Sequence, residues 1–436
     1  MNSLTKKFNQ SFLLFVSFIF LMAVFWLYQK HTLGNDSTIS EWIINYQGGL
    51  TRRGLIGEIC FQLAVFFDLK LRFVIFLFQS FLYLFYTIVI YKFIKNVPKN
   101  TLTIIAIFSP IFLLYPVAEI EVLARKEIFL YVGFIIFLNL SNVKYSNNVS
   151  LIYIFFMYPI LCLIWEPFIF FFLFSIYIIL IRNNNDSLKT IAIKILFSFS
   201  SSILITGIIL FKLYNQHVLT LDQHMLMEDS LMSNFGERCY MSCALLVSKP
   251  SIQDQFIYTY NLLSIEVIFR YLVILIIGFS ALSILIYNTK VKNKVIFVNN
   301  HIYKFILSKN ISLTFVILLL PTFILFASMT DWGRTVNMTY TFSILTYLYL
   351  IKNELIIVDK KILVFDDFYH HKKKLFIFLF VIFAFGWNQK TGMTGDVATN
   401  SLYKIIYNTS KNIFKFESIR LFQDNPIIKF HKNYIE

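Results

Sequence analysis

Charge is scarce in this chain. Only 14% of its 436 residues are Asp, Glu, Lys or Arg, against 58% hydrophobic, and the mean hydropathy is +0.68. That balance excludes a soluble domain, which needs far more polar cover. Acidic residues are the scarcer sign, 24 against 39 Lys and Arg, which leaves a formal charge of +15. The surplus is spread through membrane-flanking links, and no compact basic domain exists to grip a duplex. Nucleic acid is therefore excluded as a partner, in favour of an orientation signal and anionic headgroups. Cysteine is rare too. Of the four, Cys60 and Cys162 sit in apolar runs, while Cys239 and Cys243 share one polar loop. That spacing makes no metal-ligand pattern, and leaves the loop pair as a short disulfide or two free thiols. No nucleotide-binding loop and no internal repeat is apparent, so neither a cofactor nor a repeat architecture is expected.

What the chain has is long apolar runs. They recur near 20 residues with short basic links between them, the mark of a polytopic helical membrane protein. Candidate spans are about 11–28, 73–91, 101–117, 127–140, 150–164, 167–181, 190–211, 263–287, 311–328, 335–351 and 374–388. The first follows Lys6 and Lys7 but lacks a small-residue cleavage site, so it reads as a retained span. The run 55–67 is short and carries Glu58 and Gln62. If it does not cross, the N-terminus and nearly every lysine-rich link fall on one side, including Lys92, Lys95 and Lys99, then Lys290–Lys309, then Lys352–Lys374. If it does cross, those links face outward. The positive-inside rule selects the first arrangement and makes 55–67 an interfacial or re-entrant helix. The expectation is an all-α bundle of about 11 spans, residues 1–436 forming one integral membrane domain. It has a first outer loop 29–72, a large outer loop 214–262 and an outer tail 389–436.

This topology gathers the arginines and carboxylates on the outer face. The segment Asn45–Glu58 sets Gly48, Gly49, Gly54 and Gly57 around Arg52 and Arg53. Charge near a bilayer costs roughly 2.5–3.5 kcal/mol at a helix centre, so such clusters mark function. Paired arginines suit phosphate oxygens, and the glycines and a helix N-terminus after Gly54 would let backbone approach an anion. The bland alternative is snorkelling to headgroups. In 119–127, Glu121 and Arg125 are four apart and would pair on a helix face. Trp165-Glu166-Pro167 joins two spans with almost no loop, which places Glu166 near the interface and inside the bundle. Desolvation there would raise its pKa and suit it to acid–base work, the alternative being a helix-end cap. Asp331 suits the N-cap of the span that follows, Arg334 adds positive charge and Trp332 offers a sugar-stacking face. The loop 214–262, with His217, His224, Glu228, Glu237 and Arg238, reads as a solvated loop or a lid.

A very hydrophobic chain of about 11 spans, rich in Phe, Ile, Asn and Lys, with basic inner links, a larger outer loop and outer-face arginines, resembles the O-antigen and capsular polysaccharide polymerases. The resemblance covers the layout of the whole chain and not a fixed motif. It makes Arg52, Arg53, Arg238 and Arg334 positional candidates. The charged first outer loop also resembles the C-type glycosyltransferases, whose first outer loop carries a catalytic acid; Asp36 and Glu41 stand there. The implied reaction is attack by an acceptor hydroxyl on a sugar held by a polyprenyl (pyro)phosphate. Asp36, Glu41, Glu166 or Asp331 would act as base, and Arg52, Arg53, Arg125 and Arg334 would hold the phosphate. The resemblance further implies a bacterial inner membrane with a cytoplasmic N-terminus and a periplasmic active face. Its partners would be the lipid-linked oligosaccharide, membrane lipids and a chain-length regulator protein. A flippase of the same lipid is the competing class. It would spread charge along a mid-membrane path, whereas these charges collect at one face.

Overall fold

The computed structural model describes residues 3–33, 37–142, 146–183, 186–214, 219–248, 252–292, 311–359, 363–395 and 413–415. In chain order the helices begin with α1 (Ser3–His31), α2 (Ser37–Ile43), α3 (Leu55–Phe66), α4 (Leu71–Ile94), α5 (Thr101–Ile107), α6 (Tyr115–Ala118) and α7 (Ile120–Leu123). They continue with α8 (Ile128–Leu140), α9 (Asn147–Ile164), a 3-10 turn Glu166–Phe171, α10 (Phe172–Arg182) and α11 (Leu188–Tyr214). Next come α12 (Leu221–Phe235), α13 (Tyr240–Ser248), α14 (Ile252–Asn261) and α15 (Ile265–Tyr287). Strand β1 (Thr289–Val291), α16 (Ile311–Leu319), α17 (Thr322–Ser328), α18 (Trp332–Lys352), strand β2 (Ile356–Val358), α19 (Leu363–His371) and α20 (Lys373–Phe385) complete the order. β1 and β2 pair antiparallel, Lys290 opposite Ile357.

Six stretches are long and apolar enough to cross a bilayer: Phe8–His31, Leu71–Ile94, Asn147–Ile164, Leu188–Lys212, Ile265–Tyr287 and Ile311–Ser328, the last interrupted at Leu320–Pro321. The chain is a multi-pass helical membrane protein. The other expected spans are shorter, broken or polar. Residues 101–117 split into α5 and α6, because Pro110 and Pro116 withhold the amide donors a continuous helix needs. α8 and α20 each have 13 residues, about 20 Å at 1.5 Å per residue, against a hydrocarbon core of about 30 Å. α3, with 12 residues, is about 18 Å long.

The described residues divide into two compact units. The first is built from 3–97 and 124–255, the second from 98–123 and 256–415. In the first unit α9 lies along α11, α1 along α4, α4 along α8, and α2 packs on both α3 and α13. Outward residues of its long helices are bare and apolar, among them Leu14, Leu21, Phe81, Leu196 and Phe211, the surface that lipid wets. In the second unit α15 packs on α5, α16 and α18.

α18 is long but carries Thr, Asn, Ser and Tyr at every turn, and it is buried from Gly333 to Ile351. Its polarity has a use. Where 101–117 breaks, backbone carbonyls lose their helical partners, and an apolar interior leaves them no water. Asn337 Nδ2 donates to the carbonyls of Ile111 (2.8 Å) and Phe112 (3.1 Å), and the Tyr340 hydroxyl donates to Ala106 (2.7 Å).

Candidate functional site

The site of the first unit starts from a tight turn after α2. Asn45 Oδ1 accepts from the Gln47 amide, and Glu58, in the first turn of α3, accepts from the Tyr46 amide and from Gln47 Nε2, each at 2.8 Å. The chain is thus looped back onto its own helix. Gly48 is required there for packing within the protein: a Cβ on it would stand 1.8 Å from the Gln223 carbonyl oxygen of α12. Gly57 meets the Ile44 carbonyl in the same way, also at 1.8 Å. Gly48 and Gly57, two of the glycines expected to admit a phosphate, thus let this unit's own backbone come close, while Glu58 holds the turn and makes no cap of α3.

Arg53 takes a left-handed backbone (φ 60°), a conformation costing a non-glycine residue about 1–2 kcal/mol. The turn aims its side chain at Glu166, to which it bonds bidentately, Nε to Oε2 at 2.9 Å and Nη2 to Oε1 at 3.0 Å. Arg52 Nη1 stands 3.6 Å from Glu166 Oε1. Glu41, on α2, accepts from Arg125 at 2.5 Å and lies 3.7 Å from Arg53 Nη1. Lys126 Nζ donates to the Arg53 carbonyl at 2.6 Å. The Ala124 carbonyl, next to Arg125, is held by Trp42 Nε1 of α2 and Gln79 Nε2 of α4. Four cations thus share two carboxylates in a largely buried cluster. Arg125 pairs with Glu41, because helix α7 ends at Leu123 and the i,i+4 geometry drawn for Glu121 does not form.

The expected rise of the Glu166 pKa is reversed. Burial by itself lifts its carboxyl, yet the charges of Arg53 and Arg52 and the Arg53 hydrogen bonds hold it below the usual carboxylate range. Burial lowers Arg52 from its ordinary value, with Glu166 opposing. Burial also brings the Lys126 ammonium down to about 8, Glu41 and Glu166 pulling upward and Arg53 adding to the fall.

Beside this cluster lies a cleft of about 100 Å³. Leu50, Leu163, Ile205, Ile208 and Ile209 wall it, and Arg52 and Lys212 also line it. Arg52 Nε has no hydrogen-bond partner among the described residues.

In the second unit Arg334 Nη1 bonds Asp331 Oδ2 at 2.5 Å. Asp331 does occupy the N-cap position of α18, but its side chain makes no capping bond there. Trp332 donates its indole N–H to the Phe326 carbonyl, and its ring packs edge-on with Tyr271 and Phe326. A strap after α20 closes over these residues: Gly333 N bonds the Thr391 carbonyl, Met393 N the Thr330 carbonyl, and Gln389 Nε2 the Gly333 carbonyl. Arg270 holds the strap through the carbonyls of Met393 (3.0 Å) and Gly395, braced by Glu266 at 2.9 Å, while Lys390 pairs with Glu119 at 3.3 Å.

Of the expected site residues, Glu41, Arg52, Arg53, Arg125 and Glu166 come together in the first unit. Asp331, Trp332 and Arg334 come together in the second. Arg238 is exposed. Asp36 and His217 lie outside the described residues, as does most of the 389–436 tail. Cys239 and Cys243, left open as thiols or a bridge, are joined as a disulfide. Sequence reasoning missed Lys126, Lys212 and Arg270. Glu266 and Arg270, four apart inside an apolar run, were the signal for the last. The fold and these clusters define a polytopic helical membrane protein with buried, carboxylate-braced cations. No family model, curated protein or solved structure matches the chain.

Proposed function

We propose that the chain is a membrane glycosyltransferase of the polysaccharide-polymerase kind, joining sugars carried on a polyprenyl (pyro)phosphate at the outer face of a bacterial inner membrane, in a bundle of about 11 spans related to the C-type glycosyltransferases. One observation carries the reading: Arg52, whose Nε has no hydrogen-bond partner among the described residues, lines an apolar cleft and shares Glu166 with Arg53 in the cluster that also holds Arg125 and Lys126. An apolar wall beside concentrated positive charge matches a lipid chain bearing an anionic head. The arginines neutralise charge growing on the leaving phosphate. Glu166, held low by Arg53 and Arg52, is a weak base and serves to orient them. Asp36, in the same first outer loop by sequence, then takes the acceptor proton.

The outward orientation draws support from the Cys239–Cys243 disulfide, since such bonds persist in oxidising compartments. The lysine distribution puts the same loop outside.

The test is the polymer profile of cells carrying Arg52→Ala and Arg53→Ala proteins at normal expression. Loss of long polymer, with single repeats still reaching the surface, is expected. Full-length polymer from both variants sinks the phosphate role. Repeats trapped inside the cell instead make the chain a flippase.

A further inference from the structure

The loop that carries the disulfide is tied to three other elements of the first unit. Glu237 bonds Arg72 at the start of α4, and the Arg72 guanidinium lies over the Tyr240 ring at 5.6 Å. The Cys239 amide donates to Glu228 of α12 at 3.0 Å. Ser242, enclosed between the two cysteines, accepts from Ser40 Oγ at 2.6 Å, and its amide donates back to that oxygen at 3.3 Å. Ser40 is the residue before Glu41, and Trp42 follows. Tyr240 holds a left-handed backbone (φ 48°), so this turn keeps a shape the free chain disfavours. Both cysteines are fully buried, as the brace of a folded unit should be.

We infer that the Cys239–Cys243 turn is a positioning clamp for Glu41, which reaches its place between Arg125 and Arg53 only in the oxidised chain. Ser242 carries the effect to α2 through Ser40. In forming the bond, the two thiols give up two protons and two electrons to the disulfide of a thiol-oxidising partner, which leaves as its dithiol. The chain thus becomes a client of the compartment's oxidising system. The ligand arm of the test rests on the phosphate reading; the spectroscopic arm does not.

The full-length protein is labelled with 5-fluorotryptophan and followed by fluorine NMR, with Trp42 assigned by loss of its signal in Trp42→Phe. In the Cys239→Ser/Cys243→Ser protein the Trp42 resonance is expected to shift, while that of Trp332, in the second unit, stays. An unmoved Trp42 resonance overturns the clamp. If the Trp332 signal collapses as well, the double variant has unfolded. Ser242→Ala then decides the matter, since it keeps the disulfide and removes the 2.6 Å bond from Ser40 Oγ, and an unshifted Trp42 there overturns the clamp equally. Farnesyl diphosphate serves as ligand probe. Its affinity should fall roughly tenfold without the disulfide, well within the range such bonds are worth. In a Glu41→Gln background, removing the disulfide should cost nothing further; a full additional loss overturns action through Glu41. If the oxidised wild-type chain fails to bind the probe, the phosphate reading fails and Trp42 still decides the clamp.

Discussion

Lys126 is fully buried beside Arg53, and desolvation takes its ammonium from the ordinary 10.5 to about 8. Between those two values the unfolded chain binds more protons than the folded one, so this lysine makes stability rise as pH climbs from about 8 toward 10.5. Anion binding runs the other way, because the same step removes a positive charge from the cluster. Farnesyl diphosphate affinity should therefore weaken several-fold across pH 7 to 9, with a midpoint near 8. Lys126→Arg, which stays charged, should flatten that titration. A midpoint unchanged in the arginine variant assigns the transition to another group. Arg52 and Arg53 were legible in the sequence, because charge beside glycine in an apolar chain stands out. Lys126 was not, since within Arg125-Lys126-Glu127 nothing local separates a buried ammonium from a solvated one.

Among the elements, α18 shows how a polar helix comes to be buried. It is the donor strip for a break elsewhere in its unit. Replacing Asn337 with Leu keeps the volume close but leaves the Ile111 and Phe112 carbonyls without their donor. Each unpaired buried group costs about 1–3 kcal/mol, so a lowered thermal midpoint in detergent is expected. An unchanged midpoint would mean the two carbonyls find other partners. α3 was legible as a short helix outside the series of spans, because 12 residues fix its reach. α18 was read as an ordinary span, since length and mean apolarity say nothing of what a helix faces. The glycines before α3 were read as a ligand approach. The neighbour of Gly48, the Gln223 carbonyl, is about 175 residues away in sequence and invisible to local pattern.

At the scale of the whole molecule, orientation decides which compartment meets the basic cluster. A reporter enzyme fused after Ser230, in α12, should be active on the outer side of the membrane. Activity on the inner side overturns the proposed face of the cluster together with the oxidising environment its disulfide calls for.

Two kinds of information meet in this chain. Composition and run length by themselves determined that it is a helical, multi-pass membrane protein, because transfer of apolar surface from water adds up along the chain regardless of what packs where. The arginine pair and Glu166 could be marked for the same reason, as charge that an apolar run does not tolerate unpaired. Only the tertiary structure decided the partners: Glu166 with Arg52 and Arg53, Arg125 with Glu41 and not Glu121, the Asp331 carboxylate with the Arg334 side chain and not with the first backbone amides of α18. It also reversed the direction of the Glu166 pKa. Ion pairing and desolvation act over a few ångströms, between residues as much as 113 positions apart in the Arg53–Glu166 pair.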